Sequence, residues 1–227
     1  MNHPSNSARR RTIGQALMEW EPLVRIYESR LWRRSPIWEA LFRLSFEREY
    51  ALIAEAAGLT ETERLLDLAC GPGIYARRFA RELPRGTVVG MDLSRPMLRH
   101  AARRARQANL HNLAFVRGDA MELPFHADYF DAVNCCGALH LFPDVDQVLS
   151  EIRRVLKKEG RLSIAAFRCG AGRIAQVRTR IRRQLYGIGA FTPAGLGTQL
   201  EAAGFVGVRC LHSAGLWLVM VAQRAAA

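Results

Sequence analysis

Short apolar runs and stretches of 3.6-residue apolar period alternate along the middle of the chain. Arg64–Ala69 is an apolar run carrying one acid, Asp67, and it stops at Gly71-Pro72-Gly73. Ile74–Glu82 follows with helical spacing at Ile74, Phe79 and Leu83. Thr87–Met91, Leu113–Val116, Tyr129–Cys135 and Arg161–Ala166 read as further strands, separated by a basic helix over Pro96–Ala108 and an amphipathic one over Val145–Leu156. This alternation predicts an α/β fold, a parallel sheet with helices on both faces. Upstream, apolar residues recur from Ile13 to about Arg34, and Ser35-Pro36 separates that helix from a second one over Ile37–Ala57, closed by Gly58. Downstream, Cys169–Gly189 is rich in arginine and glycine with a helix expected over Ile174–Tyr186. Thr192 caps a helix running to about Gly204, and Phe205–Leu211 with Leu216–Gln223 form a closing strand pair. The expected organisation is a disordered basic tail at 1–12, a helical cap at 13–58, and an α/β domain at 59–227 with an insertion at about 169–190.

The turn after the first strand carries the chemistry. Glycine suits a turn whose backbone angles oppose a Cβ and whose main chain a ligand must approach. Asp92 ends the second strand, where a carboxylate can accept hydrogen bonds from both hydroxyls of a ribose. Gly71-x-Gly73-x-x-Ala76 also fits the dinucleotide fingerprint loosely. Asp67 opposes that reading, because its carboxylate would repel a pyrophosphate at the turn and would hold an ammonium instead.

Leu66-Asp67-Leu68-Ala69-Cys70-Gly71-Pro72-Gly73 resembles the first motif of the class I S-adenosylmethionine-dependent methyltransferases at every defined position. Gly90-Met91-Asp92-Leu93-Ser94, Gly118-Asp119-Ala120, Phe130–Val133 with Ala138-Leu139-His140, and Val155–Leu162 resemble the later motifs, in order. The resemblance covers roughly residues 64–167 and is nearest to the small-molecule branch typified by quinone C-methyltransferases. It implies a doubly wound, mainly parallel seven-stranded sheet, a Rossmann-like methyltransferase fold, with an N-terminal helical cap and a helical lid over the acceptor. It implies S-adenosylmethionine as cofactor and S-adenosylhomocysteine as product. The residues it assigns to the cofactor are Asp67, Ala69, Gly71 and Gly73 around the methionine end, Asp92 at the ribose, Leu93 and Met97 against the adenine, and Asp119 with Ala120 at the adenine edge. Asn134 falls at the end of the fourth strand beside them, and Tyr27 stands where many relatives close a tyrosine over the cofactor.

The expected reaction is methyl transfer to carbon or oxygen of a small acceptor such as a quinone, phenol or polyketide. His140, following the fourth strand, is the candidate general base. Two other readings stay open: a cofactor-binding pathway enzyme that does not methylate, such as a cyclase, and an RNA-directed methyltransferase. The formal charge of +12 and pI near 10.5 come chiefly from arginines spread over the helices, which reads as solvated faces and offers a surface for peripheral membrane contact. No nucleic-acid module is visible, so the expected partner is a small molecule, and the motifs carry no signal for a particular oligomeric state. Five cysteines without framework spacing suggest reduced thiols and a cytoplasmic setting. Cys135 and Cys136, adjacent on a strand, point to opposite faces and make no metal pair. No apolar run reaches the length of a membrane span, and Glu19 and Glu21 interrupt the one N-terminal segment that could serve as a secretory signal.

Overall fold

The computed structural model describes residues 35–170 and 172–226. The helix expected from Ile13, the basic tail before it and Tyr27 lie outside the described residues. Seven strands form one sheet in the order β3-β2-β1-β4-β5-β7-β6. They are β1 (Arg64–Leu68), β2 (Thr87–Asp92), β3 (Leu113–Arg117), β4 (Phe130–Cys136), β5 (Leu156–Phe167), β6 (Phe205–Ala214) and β7 (Trp217–Arg224). β1 to β5 are mutually parallel, and β7 runs antiparallel to both β5 and β6. Among the described residues the helices are α1 (Pro36–Phe42), α2 (Phe46–Ala57), α3 (Ile74–Glu82), α4 (Arg95–Gln107), α5 (Val145–Val155), α6 (Arg173–Tyr186) and α7 (Pro193–Ala202).

The two faces of the sheet bury two cores. On one face Leu66, Leu68, Val133, Leu162, Leu218 and Met220 pack against Val148, Leu149 and Ile152 of α5 and against Leu196 and Leu200 of α7. On the other, Leu65, Val88, Ala132 and Val219 pack against Phe42, Ile53 and Phe79 from α1, α2 and α3. Alternate residues of a strand point to opposite faces, so the apolar β1 to β5 divide their side chains between both layers.

The structure departs from the sequence expectation at two places. The single helix expected over Ile37–Ala57 is two, because the Leu41 carbonyl accepts the Leu216 N–H (2.9 Å) and is lost to the helical ladder. Arg43 takes a left-handed conformation (φ 50°), and Ser45 caps the new start by accepting the Arg48 N–H at 3.2 Å. The break lets Phe42 stack on Trp217, centroids 4.5 Å apart and planes 9° off parallel, while Trp217 donates its indole N–H to the buried Glu49 of α2 (3.1 Å). In the second departure β5 begins at Leu156 and not at Arg161, with a bulge: Phe130 pairs with Leu156 and Ala132 with Arg161. The intervening Lys-Lys-Glu-Gly carries Glu159 at φ 60°.

Gly215, in the β6–β7 turn, has φ +55°, and a Cβ there would lie 2.1 Å from the Leu41 carbonyl oxygen. Gly215→Ala is therefore expected to destabilise the protein by roughly 2–4 kcal/mol, from left-handed strain plus overpacking. A urea midpoint unchanged by the substitution would show that the turn does not depend on this close approach.

Candidate functional site

At the end of β1 the chain turns sharply. Cys70 N–H continues the pairing to β2 by donating to the Met91 carbonyl (3.0 Å), and Gly73 N–H turns back to the Cys70 carbonyl (2.9 Å). Ala69, Gly71 and Gly73 all have positive φ, at 53°, 53° and 73°. The two glycines serve different ends. A Cβ on Gly73 would press on Ala101 of α4 and the Phe115 ring at 3.1 Å, whereas the Cβ direction of Gly71 is open space. The backbone of Gly71 is thus open to a ligand, and that of Gly73 is fitted to the protein. Arg77, buried in the first turn of α3, donates to the Pro72 carbonyl and fixes the turn from behind.

Asp67 lies just below this turn. In register it sits beside Asn134 of β4, which sits beside Ser163 of β5, so the three side chains share one face of the sheet. The Asn134 amide donates to Asp67 Oδ1 (2.7 Å), and its own oxygen accepts the Ser163 hydroxyl (3.0 Å) and the Cys136 thiol (2.9 Å). Asp67 Oδ2 is buried with no hydrogen-bond partner. Burial pushes the carboxyl up from 3.8 to about 7, against the pull of the Asn134 hydrogen bond and of the Ala76 main chain. Asp92, at the tip of β2, is oriented by two main-chain donors: Gly71 N–H to Oδ2 and Ser94 N–H to Oδ1, each at 2.8 Å. Its pKa is also raised by burial, with these two bonds opposing. Each oxygen keeps a further lone pair for an incoming hydroxyl.

The remaining residues singled out from the sequence spread around this centre. Met97 is buried in the first turn of α4, whose start is capped by Ser94, and Leu93 just before the cap is half-buried. Asp119 is exposed, with Oδ1 accepting the Met121 N–H (3.0 Å), and Ala120 is buried among the core residues Met121 and Leu123. Cys135 is buried in the α5 side core while Cys136 bonds Asn134 on the other side.

His140 sits in a short 3-10 turn (Leu139–Leu141), buried between Phe167 (centroids 4.2 Å) and the edge of Trp217. Its Nδ1 accepts the Phe167 N–H (3.3 Å), which sets the neutral Nε2–H tautomer. Its carbonyl accepts the Gly189 N–H (2.7 Å).

His140 also lines a cavity of about 420 Å³ beneath α6. Its walls include Leu139, Phe142, Val145, Phe191 and Leu196, with Thr179 and Arg180 supplied by α6 and Gln199 by α7. Cys169 Sγ and Thr179 Oγ1 meet at 3.3 Å across its rim. The sequence reading expected a lid here but did not name Thr179, Phe142, Phe191 or Gln199 on this wall, and it missed Ser163 and Phe115. Ser163 had a detectable signal, a lone polar residue inside an apolar strand; Cys169 and Thr179 had none, since they are distant in the chain and carry no motif.

Residues 65–160 match the family model described as "Methyltransferase domain". A demethylmenaquinone methyltransferase from Listeria welshimeri is 41% identical over 100 residues, 44% of this chain and 42% of that protein, so the chain spans less than half the length of this curated relative. Among solved structures, the [4+2]-cyclase SpnF matches with a TM-score of 0.74 at 22% identity, covering 95% of this chain and 96% of that one. A phosphoethanolamine N-methyltransferase of Haemonchus contortus, solved with S-adenosyl-L-methionine, matches with a TM-score of 0.69 at 18% identity over 88% of this chain and 59% of that one. These two are likenesses of fold. Residues 65–160 thus resemble a methyltransferase domain, and the seven-stranded sheet that contains them has the fold of solved S-adenosylmethionine-dependent methyltransferases.

Proposed function

We propose that the protein binds S-adenosylmethionine at the carboxyl ends of β1 and β2 and methylates a small, largely apolar acceptor held in the cavity beneath α6. The observation that carries the reading is the buried, unpartnered Oδ2 of Asp67 beside the open Gly71 backbone. A buried carboxylate oxygen without a donor is costly unless a ligand supplies one, and an ammonium group meets that need. Asp67 with Gly71 would hold the methionine end, Asp92 the ribose hydroxyls, and Leu93 and Met97 the adenine. Asp119 would take the adenine edge by turning its exposed carboxylate inward.

The bound cofactor supplies a methyl group already activated on a sulfonium, so the chain's contribution is alignment and exclusion of water. The apolar wall of Leu139, Phe142, Phe191 and Leu196 suits an aromatic ring, and His140 lines the same cavity. The match to a demethylmenaquinone methyltransferase supports an acceptor of the quinone or phenol class.

Isothermal titration should detect binding of S-adenosylmethionine and S-adenosylhomocysteine but not of NAD. Asp92→Ala should weaken that binding by about 1.5–3 kcal/mol, the range for hydrogen bonds to a charged group. Consumption of the cofactor with a quinol acceptor would support methyl transfer; binding without consumption would support a cyclase-like role instead.

The pH dependence has a definite sign. Asp67 is largely protonated below its folded value of about 7, and an ammonium pairs with the ionised form. Cofactor affinity should therefore fall as pH drops below about 7, approaching tenfold per unit, with proton release on binding near neutrality. In the free protein the folded value lies above the ordinary 3.8, so this group's stabilising contribution is complete below about pH 4 and lost as pH rises through about 7. Asp67→Asn should flatten both profiles, as read by titration in buffers of different ionisation enthalpy and by urea unfolding.

Ala190→Trp, on the cavity wall, should raise the acceptor KM by roughly tenfold or more, the effect of filling a pocket with a bulky ring. Its affinity for the cofactor should not change. An unchanged acceptor KM would place the acceptor elsewhere.

A further inference from the structure

Exposed large apolar side chains are not scattered over this molecule. Among the described residues they are Ile37, Leu41, Val177, Ile181, Leu185, Val206 and Leu216. Six of these seven belong to elements gathered at the carboxyl edge of the sheet, the end that holds the site. β5 ends there at Phe167, whose antiparallel partner Trp217 follows the β6–β7 turn carrying Leu216. The Leu216 N–H bonds Leu41, which brings α1 with Ile37 to the same edge. α6 leaves from the end of β5. Val206 is the exception: it pairs with Gln223, which pairs in turn with Arg161 near the other end of β5.

Within α6 the orientation is unusual for a helix on a globular surface. Val177, Ile181 and Leu185 recur at four-residue spacing and so form one stripe, and they are 56%, 50% and 59% exposed. Thr179, on the opposite side, turns inward to Cys169 and the cavity. The apolar stripe faces out, where a surface helix normally places polar residues. The same helix carries Arg173, Arg178, Arg180, Arg182 and Arg183 and no acid.

We propose that this edge docks on an anionic lipid bilayer, with α6 lying in the interface. Arginines interleaved with apolar residues suit such a surface, because the long side chains reach the headgroups while the stripe enters the acyl boundary. Charge complementarity favours an anionic surface over a second copy of this chain, whose own charge is +12. The cavity rim formed by Thr179 and Arg180 is on the docking helix, so an acceptor dissolved in the bilayer would pass directly beneath it. The docking itself does not depend on the identity of that acceptor.

Co-sedimentation with vesicles tests this. The full chain should pellet with vesicles of phosphatidylcholine mixed with phosphatidylglycerol, weakly with phosphatidylcholine alone, and less as salt rises. Replacing Val177, Ile181 and Leu185 together by serine should lower the partition coefficient by roughly tenfold or more, given the apolar area removed. Ile181→Ser alone should lower it part way, with little risk to folding, and Val206→Ser at the far end should leave it unchanged. The proposal is overturned if the chain stays in the supernatant with anionic vesicles at low salt, or if the triple variant binds as well as the parent. A dimer in sedimentation velocity that the triple variant dissociates would also overturn it, in favour of self-association through this edge.

Discussion

A carboxylate taken out of water in the middle of a sheet sets the terms for much of this structure. Asp67 occupies a position on β1 that an apolar residue would fill more stably, and burial of its charge has to be compensated locally. The compensation runs sideways across three strands, from Asp67 to Asn134 to Ser163. Each side chain is fixed by register with its neighbour, so the polar row exists only if β1, β4 and β5 pair in this alignment. A slip of one residue would turn Asp67 into the α5 side core and break the row. The row therefore specifies strand register as well as holding a carboxyl group near the carboxyl end of β1.

The turn above it obeys the same constraint. Phe115 from β3 lies over Gly90, where a Cβ would come within 2.7 Å of its ring, and also bounds Gly73. Glycine at position 90 thus answers to packing and not to a ligand. Asp92 is then held by the main chain of both loops it joins, through Gly71 and Ser94. The two acids differ accordingly: Asp92 is braced by two close backbone donors, and Asp67 by the Asn134 amide with a weaker pull from the Ala76 main chain, its Oδ2 left without a close partner.

The strand and helix order was readable because the period of the apolar positions changes between 2 and 3.6 and glycine or proline marks nearly every boundary. The acids at the strand ends were readable for the same reason, since a strand end is a local property. What escaped was set by contacts between distant segments. The break in the expected cap helix depends on the Leu41 carbonyl bonding a residue 175 positions away, and Ser45 alone gave little warning. His140 was placed correctly at the end of β4, yet its tautomer depends on the Phe167 N–H, which no local pattern announces. The lid helix was expected, but the individual cavity contacts such as Cys169 with Thr179 were not, because α6, β5 and α7 meet there only after the chain has folded.

The segment carrying α6 leaves and returns at almost one point. Arg168 bridges Phe191, and the main chain of Cys169 and of Phe191 forms hydrogen bonds back across that gap, from Cys169 N–H to the Phe191 carbonyl and from Phe191 N–H to the Phe167 carbonyl. Everything between is a loop closed at its base, outside the sheet and its register. Changing its length alters the closure entropy only slowly, so insertions and substitutions there cost the core little. The part of the cavity wall carried by α6 is thereby separated from the framework that holds the two acids. One can drift in sequence, or be exchanged as a unit, while the other stays fixed.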